Sequence, residues 1–257
     1  MPLIPPNPLT MRGHIARCCL VVYRAPLDSI QARLPDGLEA VGHYGYGFYH
    51  WVVCEVRRMR PAPLPSWSGF SYRHAALRIL CRARLADGSM RAGLYFLRSD
   101  CDFAPLVPAG NLLTDFRFHA APIRWNEEGP RIELGIGGSQ PAGWILDRNA
   151  SLNGRDHSPF HSVEEAVRLL KYPACALSPA GPGVVHAVTI TRDESRWRSR
   201  PIAMVGEKVP AMREAGAELE MAFVVDPIDY QWNRGRPLAL KAPSCRGTDK
   251  EFNSVRS

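Results

Sequence analysis

From residue 70 to residue 85 the chain alternates with period two. Leu77, Ile79, Cys81, Ala83 and Leu85 fall on one face, and Tyr72, His74, Ala76, Arg78, Leu80, Arg82 and Arg84 on the other. This pattern predicts a long antiparallel strand. Asp87-Gly88 then turns the chain, and residues 90–98 return as its partner. Two earlier runs read the same way. Residues 16–23 are almost wholly apolar, and residues 45–58 place Tyr49, Trp51 and Val53 opposite His50, Val52 and Cys54. Further strands are predicted over residues 114–124, 131–137, 184–191, 201–205 and 219–225.

Helical signals are sparse. Pro26-Leu27-Asp28 opens a short helix with Asp28 as its expected cap, and Pro35 closes it. Ser162 and Glu165 form a capping box ahead of a stripe of Val163, Ala166, Val167 and Leu170. Strands do not alternate regularly with helices, which argues against a doubly wound sheet. The expected class is mainly β, a closed or nearly closed antiparallel barrel or a curved sandwich, with a few short helices. No repeat or linker divides the chain. It reads as one domain over 1–257, with a Pro-rich arm at 1–11 and a polar, basic tail at 242–257.

Composition narrows the picture. In 257 residues, 46% are apolar and 22% charged, with 21 Gly and 23 Pro, enough for a core and many turns. No apolar run approaches the ~18 residues of a membrane span. The first residues lack a basic segment followed by an apolar stretch, so no signal peptide is expected. Seven cysteines without a CxxC pair read as reduced thiols in a cytoplasmic protein. Net charge is +7, carried by 28 Arg and only 4 Lys. The basic residues are diffuse and accompany no nucleic-acid motif, so a nucleic-acid partner is disfavoured.

Several patterns fall short of a site. His157 and His161 have a metal-like spacing, but Pro159 interrupts it and no third ligand is in view, so no metal is expected. The turn Gly135-Ile136-Gly137-Gly138 opens no helix, which a phosphate cradle needs. No G-x-S-x-G elbow occurs.

One stretch is more specific. Residues 19–39 run from an apolar strand ending in Tyr23-Arg24, through a short helix, to Leu34-Pro35-Asp36-Gly37-Leu38-Glu39. This resembles the N-terminal strand and helix of the acetoacetate decarboxylase-like superfamily. Ala121-Pro122-Ile123-Arg124 lies where that family carries its Pro-Lys-Lys motif, and the hairpin at Asp87-Gly88 and the segment from Val185 to Ile190 also fit. The likeness spans about residues 14–240 and is greatest to an uncharacterised bacterial branch. It implies a cone-shaped β-barrel with a ligand site inside.

The resemblance also implies what is missing. In the decarboxylases the first lysine of the motif forms an imine with a keto acid, and the second lowers its pKa. The matching residues here are Ile123, which has no amine, and Arg124, which keeps its proton. A family carboxylate falls at His74 when Tyr72 is matched, and a family arginine falls at or beside Arg17. The reading is therefore a barrel that binds a small organic acid or carbonyl compound without cofactor or metal. In an enzyme of this kind His74 would move protons with Tyr72 orienting. Arg124 and Arg17 would hold the anion, and His119 would touch the ligand. A non-catalytic ligand- or protein-binding barrel is the alternative. A lyase using a relocated lysine, such as Lys171, is a second. No membrane partner is expected, and a homo-oligomer is left open.

Overall fold

The computed structural model describes residues 7–152, 158–170 and 173–242. Met11–Pro26 form β1, Leu27–Gln31 helix α1, Leu38–Ala40 β2, Tyr46–Pro61 β3, Phe70–Arg84 β4 and Met90–Cys101 β5. Leu106–Leu113 form α2, Phe118–Ala120 β6, Ile123–Glu128 β7, Arg131–Ile136 β8 and Ala142–Asp147 β9. Val163–Leu170 form α3, Cys175–Gly181 β10, Val184–Arg192 β11 and Ser199–Lys208 β12. Pro210–Glu214 form α4, Glu218–Val225 β13, Ile228–Trp232 β14 and Arg236–Ala239 β15. None of these helices is long and apolar enough to cross a membrane.

Strand pairing closes on itself. β1, β3, β4 and β5 are consecutive antiparallel neighbours. β5 meets β10 through one parallel pairing, Leu94 with Ala176. β10 pairs β11, β11 pairs β14, and β14 returns to residues 11–15 of β1. The result is a ring of seven strands. Residues 18–24 of β1 change partner to β13, and the sheet continues through β12, β9, β8 and β7. That second layer covers the outer face of the ring.

The long apolar strands follow from this arrangement. One set of alternating side chains, including Cys19, Val21, Trp51, Val53 and Ile79, packs between the layers against Ile132, Leu134, Trp144 and Leu146. The other set, including Cys18, Leu20, Val22, Val52 and Leu80, faces the ring interior. Strands buried on both faces lose the polar alternation of a half-exposed strand. One end of the interior is filled by Phe160 and by Ala166 and Leu170 of α3. The capping box of α3 forms: the Glu165 N–H donates to Ser162 Oγ, while the Glu165 carboxylate accepts from the His161 N–H.

The Tyr23-Arg24 end of β1 is an anchor. Trp144 Nε1 donates to Tyr23 Oη at 2.8 Å, and that hydroxyl donates to Glu207. Arg24 donates to Glu220 at 2.7 Å and to Glu218 at 2.6 Å.

Some boundaries differ from the sequence expectation. Residues 114–124 are not one strand, because Arg117 takes a left-handed φ of 55° and Pro122 removes a donor. The segment holds β6 and the start of β7. Helix α2 was not expected, since Pro105 and Pro108 mask a helix that needs few of its own donors at its start. Asp28 lies inside the first turn of α1 rather than capping it.

The interlayer contact sets a stability test. Trp144 is 1% exposed, and its ring lies 5.5 Å from that of Trp51. Trp144→Ala is expected to cost about 3–5 kcal/mol in urea unfolding. Trp144→Phe should cost less, because only the indole bond to Tyr23 and part of the volume are lost. A loss below about 1 kcal/mol for the alanine variant would mean that the layers cohere without this ring.

Candidate functional site

The ring interior is not filled along its whole length. At the end bounded by β14 it leaves a partly open chamber of about 320 Å³. Tyr72, His74 and Arg78 of β4 face into it, because they share the pleat opposite Leu77 and Ile79. Cys18 of β1 and Val52, Cys54 and Val56 of β3 continue the same wall. Helix α2 and residues 7–9 lie over the chamber. The Asn7 N–H donates to the Leu113 carbonyl at 2.5 Å, and the Gly235 N–H donates to the Asn7 carbonyl at 2.9 Å. Gly110 lets α2 approach this closely, since a Cβ there would sit 2.4 Å from Phe118.

Most of the lining is apolar and much of it aromatic. Phe96 and Phe116 are 4.5 Å apart between ring centroids, and Phe116 and Trp232 are 5.2 Å apart. Against this stands a concentrated positive charge. Arg78 is 0% exposed, with its guanidinium 5.6 Å from the Phe96 ring. Arg192 stacks 3.6 Å from the Trp197 ring, and its Nε donates to Glu194 at 2.8 Å. Among the described residues no aspartate or glutamate lines the chamber. Because Arg78 is buried, its field is screened less than that of a surface cation.

That field acts on two histidines. His50 lies directly across from Arg78 on β3, and His74 lies four residues away on the same face of β4. Burial, and after it the charge of Arg78, holds both imidazoles down at about 3. Both are neutral near pH 7. Neither ring nitrogen of His50, nor Nε2 of His74, has a hydrogen-bond partner among the described residues. Burial raises the Tyr72 hydroxyl well above its usual range, opposed by its hydrogen bond with Tyr230.

Cys18, Cys54, His74 and Cys101 form one row across β1, β3, β4 and β5. Burial raises the Cys18 and Cys54 thiols, Cys54 to about 12, so both stay protonated and are poor nucleophiles. No three potential metal ligands converge among the described residues.

Of the residues singled out from the sequence, the structure brings together His74 and Tyr72. Arg17, Arg124 and His119 do not join them, which corrects their expected grouping. An irregularity in β1 between Ile15 and Arg17 turns Arg17 outward, where it is exposed and 3.7 Å from Glu55. Arg124 is exposed because its neighbour Ile123 takes the inward position between the layers. His119 is exposed because Phe118 points inward. The cations at the chamber are Arg78 and Arg192 instead. Alternation along β4 already placed Arg78 on the face of His74; nothing local marked Arg192. Lys208 and Lys241 are exposed. Lys171, Lys250, Asp156 and His157 lie outside the described residues. An open surface groove of about 340 Å³ beside Arg12, Arg58 and Arg60 is less suited to chemistry, because solvent there screens charge.

Comparison with known proteins bears on the fold. Residues 14–167 match the family DUF2071, described as an uncharacterized conserved protein. No curated protein matches the chain. An acetoacetate decarboxylase-like enzyme from Sphingomonas wittichii RW1 superposes with a TM-score of 0.58 at 14% identity, over 92% of this chain and 95% of that one. Acetoacetate decarboxylase from Legionella pneumophila gives 0.58 at 15% identity, over 92% and 89%. The enduracididine biosynthesis enzyme MppR, complexed with pyruvate, gives 0.56 at 13% identity, over 91% of each. The fold is acetoacetate decarboxylase-like.

Fully buried His50 and partly buried His74 make stability depend on pH. An ordinary imidazole titrates near 6.5, whereas these two titrate near 3 in the fold. Between those values the unfolded chain binds more protons, so stability falls as pH drops from about 6.5 to about 3. Each group contributes up to ~1.4 kcal/mol per pH unit. Urea midpoints measured between pH 7 and pH 5 should show this decline, and His50→Phe should flatten it by about one proton. An unchanged slope in that variant would mean that His50 titrates normally in the fold.

Proposed function

We propose that this chain, which belongs to the DUF2071 family, binds a small organic anion inside its strand ring, with Arg78 holding the acid group. The observation that carries this reading is a wholly buried arginine facing an apolar chamber that no carboxylate lines among the described residues. An anion entering such a place meets a preorganised, weakly screened cation and the fork geometry that suits a carboxylate. The complex of MppR with pyruvate is in keeping with a small carboxylic acid as ligand in this fold.

His74 and Tyr72 lie further along β4 on the same face as Arg78. A neutral His74 both accepts and donates hydrogen bonds, so it can hold a carbonyl or hydroxyl of the ligand. The charge of the bound anion offsets that of Arg78, which raises the proton affinity of His74 and makes it a better base in the complex than in the empty chamber. If the protein is an enzyme, its chemistry is acid–base and electrostatic, on a small keto or carboxylic acid. Arg17, Arg124 and His119 are left out of the binding set because they are exposed outside the chamber. The six described cysteines, all free and buried, suit a reducing, cytoplasmic setting.

Arg78→Met separates binding from stability. Isothermal titration with a panel of small carboxylic acids should show at least a tenfold loss of affinity for every acid that binds the parent chain. The melting temperature of the unliganded variant is measured alongside, so that lost affinity is read only in a folded chain. Unchanged affinity would overturn the anion site. Borohydride trapping with keto acids should label no lysine; a labelled lysine would establish imine chemistry instead.

A further inference from the structure

We infer that the acid taken by this chamber carries a planar aromatic body of about a dozen non-hydrogen atoms, rather than the few-carbon skeleton of a simple keto acid. This inference rests on the anion reading above and narrows its ligand class.

Volume gives the first reason. A dry cavity of ~150 Å³ is enough to hold benzene. The chamber, at about 320 Å³, is about twice that. A three- or four-carbon acid anchored on Arg78 would leave most of it empty, and unfilled apolar space forfeits contact energy. The second reason is what bounds the space beyond Arg78. Phe96, Phe116 and Trp232 form a continuous aromatic wall, with the outer pair 6.3 Å apart between centroids. Phe118 extends it, 5.7 Å from the His74 ring. Phe70 and Tyr72 stack at 5.6 Å and supply further ring surface to the lining. Aromatic rings gain beyond area burial when they stack or meet edge to face, which favours a flat ligand over a flexible chain.

The lining is mostly apolar. Arg78 and His74 stand on the β4 wall, and Arg192 of β11 with Asn7 and Thr114 adds a few polar groups elsewhere. Leu9, Leu106 and Leu113 supply hydrocarbon on the covering side. A ligand with an anionic end and a large apolar body matches this balance.

Four probes test the idea by isothermal titration on the full chain: 2-naphthoate, 2-naphthamide, octanoate and pyruvate. Trp197 and Trp232 line the chamber, so their fluorescence gives a second readout. Binding of 2-naphthoate is expected at least tenfold tighter than that of the other three, with quenching of tryptophan emission. Phe116→Leu should weaken 2-naphthoate about tenfold while shifting pyruvate less than twofold. Tighter binding of octanoate or pyruvate would overturn the aromatic class and leave the anion site standing. Equal binding of 2-naphthamide would overturn the anion site itself. Absence of binding by all four to the folded chain would overturn both.

Discussion

Three long strands in this protein have no face left for water. β1, β3 and β4 carry apolar side chains on both pleats, and each pleat needs its own cover. Burying one face alone would leave a continuous apolar surface exposed, which a soluble chain does not sustain. The molecule meets the demand in two ways at once. The strands curl into a ring that hides one face, and a second layer of strands hides the other. β1 is the hinge of this solution, because it pairs with β14 in its first part and β13 in its last. The chamber follows from the same geometry. Helix α3 and Phe160 fill one end of the ring, whereas the other end is covered by α2 without being packed.

Into that space the chain places a charge that folding would rather keep in water. Desolvating an arginine costs several kcal/mol, and only well-placed compensation recovers it. Two histidines beside it are forced neutral, which adds a second cost below pH 6.5. A core assembled for stability alone would have used hydrocarbon at Arg78, His74 and His50. Buried charge also occurs elsewhere in the core, as in the Arg24–Glu220 and Arg98–Asp100 pairs.

Much of the architecture was readable from alternation. The period-two pattern of residues 70–85 located β4 and sorted its two faces correctly, down to the shared face of Tyr72, His74 and Arg78. What alternation does not reveal is which face looks inward. On β4 the polar face would be the solvent face in an isolated sheet; here ring closure turns it toward the chamber. Closure depends on pairings between segments far apart in sequence, such as residues 11–15 with residues 228–232, and no local signal encodes them. The same limit explains Arg17. A single irregularity in β1 is enough to exchange inward and outward positions. Short strands such as β9, β14 and β15 are fixed by their neighbours more than by propensity, and they were not foreseen.

What the protein shares with the decarboxylases is the fold. At the position that the sequence resemblance matches to the imine lysine, Ile123 packs between the layers, and Arg124 beside it is exposed. Neither lines the chamber, where β4 instead presents the guanidinium of Arg78. An amine activates a ketone by bonding to it; a guanidinium cannot, but it fixes a carboxylate and lowers the cost of negative charge developing next to it. Under the reading proposed above, a fixed charge needs no reactive carbonyl and leaves recognition to the acid group and to the shape of what it carries.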